Sequence, residues 1–446
     1  MKDEATFDNT DKSYVKQNII DFSKHLSAQE LNLFILNYGI NIFELATKQP
    51  NCAESTCAFQ MLDQCNSACI HSLAKNIKCY EWITNILSND NPPYIVSRCA
   101  SIVQKIIQNE TEFQQQIFDI FIKFLPFIEN TGVFDLLSYV ILPFNETTLF
   151  CKCLSNCNFI NSLLREIQNE ENHKIKDSFQ EKNENDNMVL FVENEKLSLF
   201  LLLLRHCAKN EILKRELENE KTIQILSYIS DHFTGLYVQN HLWQTVSAIC
   251  SINTSSYLFP LFEKGIKIVS EPYLVLHIYH TCIIDFIGKF ITTSPNIFDK
   301  RFIQVLNVMS RLITQFPDCS NLQASISRFI CASLECEVLQ DRIINYILPL
   351  VIMTAQNGAK CAATANCAYV LHQISVLKFT HRKINVFCKK SDFYLECCQS
   401  FLNKYEDLLR KPYGGELKDE EKTKKSFFAS FKSIFVNDFH PELFID

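Results

Sequence analysis

Residues 91–128 read NPPYIVSRCASIVQKIIQNETEFQQQIFDIFIKFLPFI. Proline lacks an N–H and locks φ, so it breaks a helix interior but suits a first turn. A helix is therefore expected to begin at Asn91-Pro92-Pro93. Behind the prolines, Ile95, Cys99, Ile102 and Ile106 recur at i, i+4, i+7 and i+11. That spacing puts all four on one face of a helix. After a mostly polar break, Ile117, Ile120, Phe121, Phe124, Leu125 and Ile128 repeat the pattern. The stretch reads as two amphipathic helices in succession, each with one apolar face to bury.

The same periodicity extends along the chain. It covers Val189–Cys207, Thr222–His232, Leu236–Ile252, Tyr257–Val269 and Leu274–Ile291. It returns at Phe302–Gln315, Leu322–Leu334, Leu339–Met353 and Ala362–Val376. Gly132, between two patterns, reads as a helix stop. Composition agrees. Eight glycines and 12 prolines in 446 residues are few, against about 7% glycine in average proteins. Hairpins, Rossmann turns and phosphate-cradling loops need glycine, so β-sandwiches, propellers and nucleotide-binding α/β folds are excluded. With 47% apolar residues the chain can bury a large core. Lys plus Arg number 43 against 50 Asp plus Glu, a net charge of −7. An acidic balance argues against nucleic acid as the main partner.

Paired, these helices make units of roughly 35 to 45 residues, the period of HEAT and armadillo repeats. The expected fold is all-α, an armadillo/HEAT-like solenoid over residues 1–410. One polar insertion interrupts it: residues 168–187 read QNEENHKIKDSFQEKNENDN. It is expected to be a solvated loop, with Ser178 as the residue a kinase would use. At Lys411-Pro412-Tyr413-Gly414-Gly415 the solenoid ends. A charged linker follows, then FFASFKSIF, in which Phe427, Phe428, Phe431, Ile434 and Phe435 share one helical face. That face of residues 411–446 is expected to cap the solenoid, dock in a partner's groove or lie on a membrane surface.

Catalytic chemistry is not expected. The densest thiols, Cys151, Cys153 and Cys157, the spacing Cys65/Cys69 and the pair Cys397-Cys398 form no zinc knuckle. The 20 cysteines are expected to serve as small core residues. His277 and His280 lie one turn apart and read as a structural pair. No Gly-x-Ser-x-Gly, Gly-x-Gly-x2-Gly or Gly-x4-Gly-Lys occurs. No catalytic residue, cofactor or metal is expected, and no membrane span. Many thiols without a secretory signal point to a reducing compartment, the cytoplasm.

The segment Tyr80 to Ile141 resembles the opening repeats of the SAPS-domain family, regulatory subunits of protein phosphatase 6-type Ser/Thr phosphatases. Asn91 and Pro92 match its turn; Ile102, Val103, Ile106 and Ile107 match its apolar ridge; Ile128, Asp135, Leu136 and Leu137 match its last element. Phe159 to Ile167, Glu211 to Asp231 and Leu322 to Leu334 are similar to later blocks. The chain departs from the pattern at Gln104, Lys105, Asn109 and Tyr139, and has Phe393 near an expected tryptophan. The resemblance implies a non-catalytic scaffold that binds a phosphatase 6-like catalytic subunit, recruits substrates and takes a further adaptor subunit. It implies a cytoplasmic location, with the nucleus as a second compartment. Basic residues on the inner helices of a solenoid suit an acidic partner surface. Arg98, Lys105, Asp135, Arg165, Arg205 and Lys209 are the expected partner-binding residues. The rival expectation is an armadillo-like adaptor in trafficking or transport with no phosphatase partner.

Overall fold

The computed structural model describes residues 4–48, 52–89, 91–109, 116–142, 147–180, 194–273, 275–294 and 300–410. Among the described residues every regular element is helical. The chain opens with α1 (Glu4–His25), α2 (Ala28–Lys48), α3 (Ala53–Gln64), α4 (Ser67–Lys75) and α5 (Ile77–Ser88). Next come α6 (Pro93–Asn109), α7 (Gln116–Phe124), α8 (Thr131–Ile141), α9 (Thr147–Asn156) and α10 (Phe159–Gln180). The middle holds α11 (Glu195–Ala208), α12 (Glu211–Leu217), α13 (Glu220–His232), α14 (Leu236–Ile249), α15 (Ser255–Ser270) and α16 (Ile278–Thr293). The last part is α17 (Lys300–Gln315), α18 (Ser320–Glu335), α19 (Glu337–Tyr346), α20 (Leu348–Gln356), α21 (Ala362–Leu377), α22 (Arg382–Lys390), α23 (Asp392–Cys397) and α24 (Asn403–Arg410).

These helices stack in two rows. In the first row, α6, α8, α11, α14, α16, α18 and α21 each lie against the next, most closely from α11 onward. In the second, α7, α10, α13, α15, α17, α19 and α22 touch their successors only sparsely. The two rows are thus packed unequally, the first closely and the second loosely. The fold is the expected all-α solenoid.

The repeat shows in which residues bond across helices. Partners are 39 residues apart for Arg205 and Gln244 and 42 for Cys282 and Asn240. They are 43 apart for Arg328 and Asp285 and 41 for Arg311 and Ser270. Bonds recurring at about 40 residues mark one helix pair per unit.

An aromatic seam fills the space between rows. The Trp243 ring lies 5.8 Å from Phe286, Phe262 stacks on Phe290 at 4.7 Å, and Phe302 sits 6.2 Å from Phe329. All are 2% exposed or less. The Trp243 indole N–H donates to Gln239 Oε1 at 3.0 Å, and the Gln239 amide donates to the Phe233 carbonyl at the end of α13. The polar atoms are thus paired inside an apolar interface. Ile95, Cys99, Ile102 and Ile106 are all buried, as their spacing implies.

Helix ends are managed by asparagine rather than glycine. The Oδ1 atoms of Asn66, Asn76, Asn130, Asn194, Asn210 and Asn219 accept backbone N–H bonds in the first turns of α4, α5, α8, α11, α12 and α13. Each satisfies a donor that has no partner within its helix. Among the described residues only Asn158 and Gly358 adopt the left-handed backbone conformation.

Three expectations are corrected. Gly132 does not stop a helix. It lies in the first turn of α8, its N–H donating to Asn130 Oδ1 at 3.1 Å. It is small because α6 passes close by: a Cβ there would meet Ser97 Oγ at 2.6 Å and the Ser97 carbonyl at 3.2 Å. The polar stretch 168–187 is not a loop throughout, since α10 runs on to Gln180. Glu170 takes a bond from Asn194 Nδ2 at 3.4 Å and pairs with Lys196 at 3.6 Å, tying α10 to the start of α11. Residues 181–187 lie outside the described residues. Finally, the single run Leu339–Met353 is two helices, α19 and α20, bent by 52°. Pro349 sits in the first turn of α20, where its missing N–H costs nothing. The expected tail face of Phe427, Phe428, Phe431, Ile434 and Phe435 lies outside the described residues.

Replacing Gly132→Ala is expected to lower stability by about 1–3 kcal/mol, because overpacking against the Ser97 backbone outweighs the gain in helix propensity. Urea unfolding checks this; an unchanged or raised midpoint would show slack between α6 and α8.

Candidate partner-binding face

The helices of the packed row bury their apolar residues and leave polar ones half-buried or exposed. Of the six expected partner-binding residues, five lie on or beside its helices: Arg98 and Lys105 on α6, Asp135 on α8, Arg205 on α11 and Lys209 directly after it. Arg165 is separate. It sits on α10 in the second row, its side chain 65% exposed and 3.9 Å from Glu166.

The five differ in freedom. Arg98 is half-buried and works inside the molecule. Its Nη1 donates to Ser55 Oγ at 2.7 Å and to the Ala46 carbonyl at 3.2 Å. Its guanidinium lies over the Phe59 and Tyr94 rings, at 5.3 and 5.9 Å. It therefore fastens α6 to α2 and α3. Lys105 is half-buried on the same face. Asp135 and Lys209 are exposed. Arg205 is half-buried and donates to Gln244 Oε1 on α14.

Further along the row lies a pair that sequence pattern does not single out. The Arg328 guanidinium of α18 binds the Asp285 carboxylate of α16 through Nε and Nη2, at 3.2, 2.9 and 2.9 Å. Nη2 also donates to Ser325 Oγ at 2.8 Å. Burial raises the Asp285 carboxyl even so, with Arg328 opposing. This part of the face is self-satisfied: cation, anion and hydroxyl meet one another.

Between α11 and α14 the arrangement is different. His206 lies 6.2 Å from the Phe134 ring of α8, and His241 stands across on α14. Burial pushes the His206 imidazole down to about 4, helped by the positive charges of Arg205 and Lys209 and by His241. Burial and Arg205 push His241 down as well, while a hydrogen bond from its ring to Gln244 opposes. The Nδ1 atoms of both rings are shielded from solvent without a hydrogen-bond partner among the described residues.

The other sequence candidates are structural. The His277 N–H donates to His280 Nδ1 at 3.0 Å, closing the start of α16. His280 stacks on Tyr273 at 4.3 Å, and burial pushes it down to about 4. The thiols are free, and many are buried. Cys157 donates to the Leu154 carbonyl at 3.2 Å, and burial pushes Cys79 up to about 12. Among the described residues no cluster of His, Cys, Asp and Glu is set to hold a metal ion, and no single helix is long and apolar enough to cross a membrane. An open cleft of about 460 Å³ between α15 and α17 is crossed by the Arg301–Glu263 ion pair at 2.6 Å. A second, of about 440 Å³, opens beside Ser320, Cys361 and Tyr405.

No family model matches the chain, and no curated protein matches it. Among solved structures, a crystal structure of an engineered protein from the Northeast Structural Genomics Consortium is similar at 10% identity and a TM-score of 0.45. The match covers 87% of this chain and 95% of that one. A likeness that distant says nothing of function. What the molecule itself defines is an all-α helical-repeat solenoid.

His280 gives a pH test. Its folded value, about 4, lies below the ordinary 6.5, so the unfolded chain binds more protons between these limits. Its contribution is complete above pH 6.5 and is lost as pH falls toward 4. Unfolding free energy is expected to drop by about 1–3 kcal/mol from pH 7.5 to 4.5 on account of this residue. Urea titrations at both pH values should show a smaller drop in His280→Gln; an equal drop would assign the pH dependence elsewhere.

Proposed function

We propose that this protein is a non-catalytic scaffold that grips a phosphatase 6-like Ser/Thr phosphatase catalytic subunit on its packed row and brings substrates to it. The observation that supports the proposal is the continuous row of α6, α8 and α11, whose helices carry Lys105, Asp135 and Arg205, with Lys209 directly after α11. A curved helical stack offers a long rigid surface for another polypeptide. The resemblance of Tyr80–Ile141 to the SAPS-domain family names the partner class, and that segment builds α5 to α8, the start of this face.

The mechanism is geometric. A catalytic subunit held on one surface and a substrate held on another meet at an effective concentration in the mM range, which raises turnover without touching the active site. Rigidity matters because a face that flexes loses part of this gain to ordering entropy. Within the proposed face, the packing of α6 on α8 and the Arg98 bonds to α2 and α3 supply rigidity.

Affinity capture from a native extract, read by mass spectrometry, is expected to recover a Ser/Thr phosphatase catalytic subunit. Lys209→Glu, exposed directly after α11, is expected to reduce recovery about tenfold. Arg165→Glu, on the second row, is expected to leave it unchanged. Absence of any such subunit from the wild-type capture would remove the proposal.

A further inference from the structure

The face between α11 and α14 departs from its neighbours along the row. On one side Arg98 meets the Ala46 carbonyl, and on the other Arg328 meets Asp285. Arg205, His206, Lys209 and His241 gather from two adjacent helices, and among the described residues no carboxylate pairs with any of them. Arg205 bonds only to the neutral Gln244 side chain.

The elements packed around the cluster do not neutralise it. On α8, Phe134 lies against the His206 ring, while Asp135 is exposed and does not act on that imidazole. On α10, Glu170 is paired with Lys196 and Glu166 lies by Arg165. On α12, the charged residues are Glu211, Lys214, Arg215 and Glu216, and none of them acts on His206. On α16, Cys282 is the ionisable neighbour of Arg205, and Asp285 is held by Arg328. The charges acting on His206 come from Arg205, Lys209 and His241, all of one sign or neutral. Arg205, half-buried, and Lys209, exposed one turn on, are like charges that repel one another, and Arg205 has also lost part of its hydration. One anion placed among them would relieve both costs. Beside the cluster, one turn earlier on α14, Tyr237 is 65% exposed. The chain as a whole carries −7, so this concentration of positive charge is local.

We propose that the α11–α14 face seats an acidic segment of a protein partner, with Arg205 and Lys209 anchoring its carboxylates, Tyr237 covering its apolar neighbour, and His206 and His241 taking up protons as it binds. This rests on the reading of the packed row as the partner face, and gives that face its chemistry. The sign follows from the protonation states. In the free protein both imidazoles are neutral at neutral pH. A carboxylate beside them stabilises their charged forms, so binding takes up protons and strengthens as pH falls. Glutamate side chains stay ionised down to about pH 4.3, so the ligand keeps its charge across the useful range.

The test uses the full chain and a fluorescein-labelled octaglutamate peptide, with binding read by fluorescence anisotropy at fixed ionic strength. The dissociation constant is expected to fall about three- to tenfold from pH 7.5 to pH 6.0. Lys209→Gln, exposed and outside the packed interior, should weaken binding about fivefold at both pH values. The double variant His206→Asn, His241→Asn should bind with no pH dependence, while Arg165→Gln should match the wild type. Circular dichroism melts identify any variant that fails to fold, and Lys209→Gln alone then decides. Absence of saturable binding by the wild-type chain, or equal binding by Lys209→Gln, overturns the proposal. A chain that binds octaglutamate yet captures no phosphatase leaves this site standing and removes the phosphatase partner. A chain that captures the phosphatase but ignores octaglutamate does the reverse.

Discussion

The structure depends on one constraint: each helix carries an apolar stripe that it cannot cover by itself. An isolated helix of 14 to 16 residues, the length of α14 to α18, is marginal in water. It becomes stable when its stripe is laid against the next helix in its row and against the other row. Trp243, Phe262, Phe286 and Phe290 show the consequence, since residues from α14, α15 and α16 meet in one water-free contact. Stability then accrues unit by unit through neighbouring interfaces, rather than through a single centre too large to form.

Polar residues are fitted around that requirement. Helix stacking leaves carbonyls and N–H groups bare at every end, and a chain with few glycines cannot close them with glycine turns. Asparagine Oδ1 atoms close the starts. Arginines close several ends: Arg98 reaches the Ala46 carbonyl near the end of α2, and Arg311 reaches Val269 and Ser270 at the end of α15. These long cations are therefore framework, although a sequence displays them as surface charge. Between α11 and α14, Arg205 reaches only the neutral Gln244 side chain, and among the described residues no carboxylate pairs with it.

Much of the fold is legible in local pattern. The positions Ile95, Cys99, Ile102 and Ile106 announce their face because burial follows helical period. The Asn91-Pro92-Pro93 start is legible because proline's geometry is local. Gly132 escapes such reading for the opposite reason. Its smallness answers to Ser97, on a different helix, and no local rule reports that distance. The polar stretch beginning at Gln168 has the composition of a loop, yet Glu170 gains its partners from residues beyond position 193. The asparagine caps carry a local signal, an asparagine two or three residues ahead of an apolar run. The α11–α14 cluster carries none, because Arg205 and His241 belong to different helices and meet only through stacking.

Composition and the 3.6-residue period by themselves determined that this chain is helical and repeating. Those properties are set by backbone geometry within a few residues. Only the tertiary structure decided which row packs tightly and which cations lack a counterion among the described residues. Those outcomes depend on residues about 40 positions apart being brought into contact. Two helices with the same pattern become framework or binding surface according to what the fold sets beside them.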